Sequence, residues 1–329
     1  MVAAKKHHEL VYRTVVGLIG GMGPEATLDI FSQVLRSQHR QFIAVQRAAR
    51  ACGSGDTAAL LAATRSVSTA PWAAAEVDTL ARYPGDIATA RWDDQHHIPM
   101  LIFSSSQIPD RTEWLLDPRP STPDPRPALV RTACALVAAG ANVLAMPCNT
   151  AHAFADDVRE VVGPKIELLH MPELTIEYAL RQHAPPRPSD PLTMGLLATT
   201  GTIRSQVYHA AAQSVMERSG GGNASVRLVT PEDVTEGCQA TVMESIYGSC
   251  GIKAGYSDLA SAEGQHNAAL LRGQQEALVK DGAACVLAGC TEIPLVLQEE
   301  EDAGGSGALV NPTRVLADMI VWRSLRDRM

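Results

Sequence analysis

The sequence predicts an α/β protein of two similar domains, each a parallel sheet flanked by helices, with an active site in the cleft between them. Three observations carry that reading. Short apolar runs alternate with helical segments, the order that builds parallel sheets through right-handed crossovers. The order then repeats: VVGLIGGMGP near the start is echoed by TMGLLATTGT beyond the middle, and LAMPCNT by LAGCTE. Each half also sets a cysteine, Cys148 or Cys290, at the end of a strand. Open parallel sheets bind ligands beyond the carboxyl ends of their strands.

Residues 14–20 (TVVGLIG) read as a buried strand, followed by a tight turn at Gly20-Gly21-Met22-Gly23-Pro24. Pro24 suits a first helical turn, and 25–35 has helical spacing. Residues 44–91 are Ala-rich and lack lysine. Ser68-Thr69-Ala70-Pro71 offers a helix start and Pro84-Gly85 a stop, so this stretch reads as an inserted helical excursion for packing or oligomer contacts. Strands are expected at 97–103, 142–146 and 166–169, and helices at 128–139 and 151–161.

The proline-rich stretch 181–191 (RQHAPPRPSDP) is the linker candidate. After it come a strand at 193–198, a polar Gly turn at 199–202, a helix at 203–215, a strand at 225–229, a helix at 267–280 and a strand at 285–288. The expected organisation is a first domain over 1–180, a linker over 181–191 and a second domain over 192–310. A C-terminal helix over 311–329 is expected to pack back on the first domain.

The chain has 329 residues, 46% hydrophobic and 19% charged, with a formal net charge of −8. That length fits two domains. An acidic chain gains nothing from counterion release, which argues against a nucleic-acid partner. No apolar run approaches the roughly 18 residues that a membrane span needs. The start, MVAAKKHHELVYR, has no apolar core of a secretory signal, so a cytoplasmic location is expected. Seven cysteines, an odd number with no CxxC, argue against a disulfide framework and against a metal site.

Cys148 and Cys290 are the candidate catalytic residues. A racemase without a cofactor must take the α-proton from one face and return a proton to the other, so it needs two acid/base groups on opposite sides of one carbon. Thiols suit the work because their pKa lies near neutrality and moves easily. Each cysteine precedes an expected helix N-terminus, whose free N–H groups favour negative charge. Asn149, Thr150 and Thr291 add hydrogen-bond donors beside them. The glycine loop at 20–23 is too short for a dinucleotide fingerprint; its Gly21 and Met22 backbone is expected to approach a substrate carboxylate.

The motifs GLIGGMGPEAT, SSSQIPDR, MPCNTAH, LLHM, GLLATTGT, IKAG and LAGCTEIP, in this order, resemble the aspartate/glutamate racemase family, and within it the aspartate racemase branch. The resemblance covers nearly the whole chain apart from 44–91 and the termini. It implies two α/β domains, a cofactor-independent two-thiol mechanism carried by Cys148 and Cys290, an acidic amino acid as substrate, and a homodimer. Cell-wall glutamate racemases carry a DSGVGG-like first loop and a histidine two residues after the second cysteine. This chain has Gly20-Gly21-Met22-Gly23-Pro24 and Glu292 at those places.

By the same resemblance Arg111, in QIPDR with Gln107, is a carboxylate-binding group, consistent with the bidentate fork of a guanidinium. Arg204 stands where relatives often have lysine and is the candidate for a second carboxylate. His152 is expected to orient Cys148 or cap a helix, His170 to pack or face the cleft floor, and Glu292 to relay protons, bind an ammonium or cap a helix. Alternatives on the same fold are a maleate isomerase, a hydantoin racemase or a decarboxylase. Outside catalysis, the alternative is a two-domain small-molecule binding protein.

Overall fold

The computed structural model describes residues 13–52, 93–183, 185, 190–219, 225–297 and 308–326, and elements are numbered among these. The first half runs β1 (Val16–Gly20), α1 (Pro24–Cys52), β2 (Met100–Ser104), α2 (Arg111–Leu116), α3 (Arg126–Ala138), β3 (Val143–Ala145), a 3-10 turn (Thr150–Phe154), α4 (Ala155–Val162), β4 (Glu167–Leu169) and α5 (Met171–Gln182). The second half runs β5 (Leu192–Ala198), α6 (Thr200–Arg204), α7 (Val207–Arg218), β6 (Val226–Val229), α8 (Pro231–Val234), α9 (Cys238–Tyr247), a 3-10 turn (Ile252–Ala254), α10 (Ala262–Lys280), β7 (Cys285–Gly289), α11 (Ile293–Val296), β8 (Ala308–Val310) and α12 (Pro312–Arg326).

The two sheets have the same topology. Their orders are β2-β1-β3-β4 and β6-β5-β7-β8, with every pairing parallel. The repeat seen in the sequence is thus a repeat of fold. β1 corresponds to β5, and β3, which leads to Cys148, corresponds to β7, which leads to Cys290.

The central strands β1, β3, β5 and β7 are buried on both faces, which is why they read as unbroken apolar runs. Side chains alternate across a strand. Val16 and Leu18 of β1 and Met194 and Leu196 of β5 join one core, shared by the two sheets with α5, α7 and α12. Ile19 faces the opposite way into a cluster under α3 and α4, and Leu197 into one under α9 and α10. Equivalent glycines let the covering helices come close. A Cβ at Gly17 would lie 3.1 Å from Leu136 Cβ on α3, and one at Gly195 would lie 3.1 Å from Leu278 Cβ on α10.

Several boundaries differ from the sequence reading. α1 continues unbroken through Cys52, so 44–52 belongs to this helix and not to a separate excursion; residues 53–91 of the expected insertion lie outside the described residues. α5 includes Arg181 and Gln182, so the helix runs into the expected linker. The expected Gly turn at 199–202 is instead the cap and start of α6, with Thr199 Oγ1 accepting from Thr202 N. The helix expected at 151–161 opens as a 3-10 turn and becomes α-helical at Ala155. α2, α5, α8, α9, α11 and β8 have no counterpart among the element ranges of the sequence reading.

α12 packs against α1 and α5 of the first half. Ser37 and Arg40 of α1 both meet Asp318, the latter at 3.2 Å, and Arg314 donates to the Tyr178 hydroxyl at 2.8 Å. No described helix is long and apolar enough to cross a membrane.

Candidate active site

Cys148 sits in the loop after β3 and is buried, 7% exposed. His152 fixes this loop. Its Nδ1 lies 2.8 Å from the Cys148 carbonyl, and its Nε2 accepts from Met171 N at 3.1 Å. An Nε2 that accepts is unprotonated, so Nδ1 carries the proton and donates to Cys148. Burial, and then the neighbouring His170, push the His152 imidazole down to about 3, which keeps it neutral. His170 stands edge-on to it at 4.8 Å and caps α5; burial takes it down to about 4.

Arg111 opens α2 behind the cap residue Asp110. It is 5% exposed. One guanidinium nitrogen donates to the Ile108 and Pro109 carbonyls, at 3.4 and 3.1 Å, and the other to the Met22 carbonyl at 2.7 Å. Burial opposes this charge, yet Cys148, Asp110 and Tyr247 outweigh it and raise the arginine above its ordinary value. Cys148 is thus a close electrostatic neighbour. Arg111 Nε meets no acceptor with hydrogen-bond geometry among the described residues.

Cys290 lies at the end of β7, 5% exposed. Its thiol donates to Glu292 Oε2 at 2.9 Å, and Thr291 Oγ1 donates to the same oxygen at 3.1 Å. The other carboxylate oxygen pairs with Lys253 Nζ at 2.6 Å. Burial would raise the Glu292 carboxyl, but Lys253 and the donors Cys290 and Thr291 bring it below its ordinary value. Burial, then Glu292, push the Cys290 thiol well up, and Lys253 offsets only part of this. Glu292 is therefore the carboxylate and Cys290 the protonated partner.

The two thiol environments join at Met22. Its carbonyl accepts from Arg111 and, at 3.4 Å, from Lys253. Lys253 Nζ also stands 5.4 Å over the Tyr247 ring, and the Tyr247 hydroxyl donates to Asp110 Oδ2 at 2.9 Å. The glycine loop is shaped for this. Gly21 has φ +88°, and a Cβ there would fall 2.3 Å from the Ser105 nitrogen. Its own N–H is bonded to Thr27 Oγ1 at 2.8 Å, so the loop meets the two cations through the Met22 carbonyl.

Asn149 and Thr150 link the halves. Thr150 Oγ1 is 2.7 Å from Thr202 Oγ1 and 3.4 Å from Thr199 Oγ1, while Asn149 Oδ1 accepts from the Tyr208 hydroxyl at 2.7 Å. Gly201 permits the approach of α6 to α2, since a Cβ there would lie 2.7 Å from Thr112 Cα. Arg204, on the last turn of α6, is exposed, and so is Gln107; neither is in the hydrogen-bonded cluster. The sequence reading assigned no role to Lys253, Tyr208 or Tyr247. Only the IKAG motif, which contains Lys253, carried a signal for any of them.

Residues 79–320 match the family model described as Asp/Glu/Hydantoin racemase. The chain belongs to this family. The fold is also that of a Picrophilus torridus aspartate racemase, at 19% identity and a TM-score of 0.59 with 96% of each chain covered. It is similarly that of an aspartate racemase homologue of Pyrococcus horikoshii OT3, at 15% identity and a TM-score of 0.52, covering 95% of this chain and 99% of that one. An uncharacterized protein of the pnlA 3′ region of Pectobacterium carotovorum subsp. carotovorum is 33% identical over 107 residues. That match takes in 32% of this chain and 57% of the relative.

Proposed function

We propose that this protein racemises a small acidic amino acid, aspartate or glutamate, with Cys148 and Cys290 as the two proton-transfer groups. The observation that supports this best is the pairing of the two thiols with different charged partners at matching strand ends: Arg111 beside Cys148, and the Glu292–Lys253 pair on Cys290.

In one direction, the Cys148 thiolate takes the α-proton. The C–H electron pair passes into the carboxylate as an enediolate, and the Cys290 S–H protonates the opposite face. The reverse direction exchanges the roles. Arg111 Nε and Asn149 Nδ2, both buried without partners among the described residues, supply donors for the α-carboxylate, whose charge grows in the enediolate. Lys253 serves the side-chain carboxylate, in exchange for part of its contact with Glu292. Both proton transfers fall to side chains of this chain, so the reading calls for no cofactor. It also takes the protein to be a cytoplasmic homodimer.

The purified protein is expected to interconvert L- and D-aspartate or glutamate and, in heavy water, to place deuterium at the α-carbon. Chiral chromatography and mass spectrometry of both amino acids read this. If neither amino acid exchanges its α-proton over a long incubation, the reading fails. Cys148→Ala and Cys290→Ala should each abolish racemisation, and full racemisation by either variant would remove the two-thiol mechanism.

A further inference from the structure

Tyr208 lies on α7, in the half of the chain opposite Cys148, and its side chain is fully buried. Its hydroxyl donates to Asn149 Oδ1 at 2.7 Å. Asn149 directly follows Cys148 and is 1% exposed, and its Nδ2 has no partner among the described residues. A buried polar group without a partner is costly, which marks this amide nitrogen as a donor that awaits a ligand.

We infer that Tyr208 is a positioning residue, which holds the Asn149 carboxamide so that its amino group is the donor to a substrate carboxylate beside Cys148. The inference rests on the racemase reading and names one residue that makes the anion subsite work.

The argument is one of hydrogen-bond parity. A carboxamide presents a donor end and an acceptor end of nearly equal shape, and its orientation follows from its partners. A carboxylate only accepts. To bind it, Asn149 must offer Nδ2, and Oδ1 then needs a buried donor. The Tyr208 O–H is that donor. The phenol is suited to remain protonated, because burial raises it, against the nearby Thr175 hydroxyl and together with Cys290. Without the hydroxyl, the binding-competent orientation would leave Oδ1 unpaired, while the reversed amide would turn its own oxygen towards an anion.

The test reads anion occupancy separately from turnover. Cys148 is alkylated with iodoacetamide, and the concentration of L-aspartate, or of succinate, that gives half-protection is measured by mass spectrometry. Tyr208→Phe should raise that concentration about tenfold, the scale of one lost buried hydrogen bond. Asn149→Ala should raise it comparably, and the double variant no further than Asn149→Ala alone. Thermal melts establish that each variant is folded; Tyr208→Leu serves as a second variant if Tyr208→Phe does not fold.

Unchanged protection in a folded Tyr208 variant would overturn the inference, as would multiplicative losses in the double variant. So would a wild type that neither dicarboxylate protects. Protection of the predicted pattern without any racemisation would sink the racemase reading and leave the role of Tyr208 intact.

Discussion

The Cys290 thiol donates to the Glu292 carboxylate across 2.9 Å, and the same carboxylate is paired with Lys253 at 2.6 Å. The two bonds make the protonation of one sulfur depend on an ion pair. Glu292→Gln removes the negative charge that pushes the Cys290 thiol up and leaves Lys253 as its charged neighbour. The expected result is a lower Cys290 pKa, visible as faster alkylation of Cys290 at neutral pH and as a shift of the basic limb of the activity profile to lower pH. Breaking a buried pair from one side also costs about 3 kcal/mol of stability. An alkylation profile of Cys290 identical to wild type would show that Glu292 does not control the thiol.

Arg111→Lys should not act as a conservative change. The guanidinium spans three carbonyls, of Ile108, Pro109 and Met22, and its buried Nε has no partner among the described residues. An ammonium cannot reproduce that fork. Racemisation is expected to fall at least ~100-fold in kcat/KM, about 2.7 kcal/mol of transition-state stabilisation. Steady-state kinetics of a folded variant measure it, and activity within a few fold of wild type would take Arg111 out of the substrate site.

The two buried histidines predict acid sensitivity. His152 and His170 have pKa values depressed from 6.5 to about 3 and about 4. The unfolded chain therefore binds more protons than the native one once the pH drops below about 6.5. The stability is present above that value and lost progressively as pH falls towards the folded values. The depressions amount to several kcal/mol in all. The melting temperature should fall steadily from pH 6.5 to pH 4, and His152→Asn should flatten that slope. An equal slope in wild type and variant would assign the acid loss to other groups.

The fold was largely legible because β1, β3, β5 and β7 are covered on both faces and so read as continuous apolar runs. α5 was not, because its buried face mixes Thr175 and Tyr178 with Met171 and Ile176, and Pro172 masks its start. Cys148, Cys290 and Arg111 stand out as candidates in the sequence because each lies in a short motif that follows a strand. Lys253 could not be placed. It sits in a one-turn 3-10 segment and meets Glu292 from 39 residues away, a distance across which spacing carries no information. The resemblance points to Arg204 as the second cation because relatives often carry lysine there, but α6 is only five residues long and leaves that side chain exposed.

Gly23→Ala separates the geometry of the site from the stability of the fold. A Cβ on Gly23 would lie 2.4 Å from Glu292 Oε1, the oxygen that holds Lys253. Gly23 starts no strained turn, and the atom it meets is the far end of a side chain that can move. The melting temperature should therefore fall by less than in Glu292→Gln, by the equivalent of under about 3 kcal/mol, because the carboxylate is displaced and not removed. The displaced carboxylate, however, can no longer satisfy Lys253 and the Cys290 thiol together. Racemisation should fall about tenfold or more, as expected when groups that must hold a transition-state geometry shift by a fraction of an ångström. Parallel thermal melts and kinetics decide the matter. A large loss of stability would show that the loop cannot yield at Gly23, and unchanged activity would show that the Glu292–Lys253 contact is dispensable to the chemistry at Cys290.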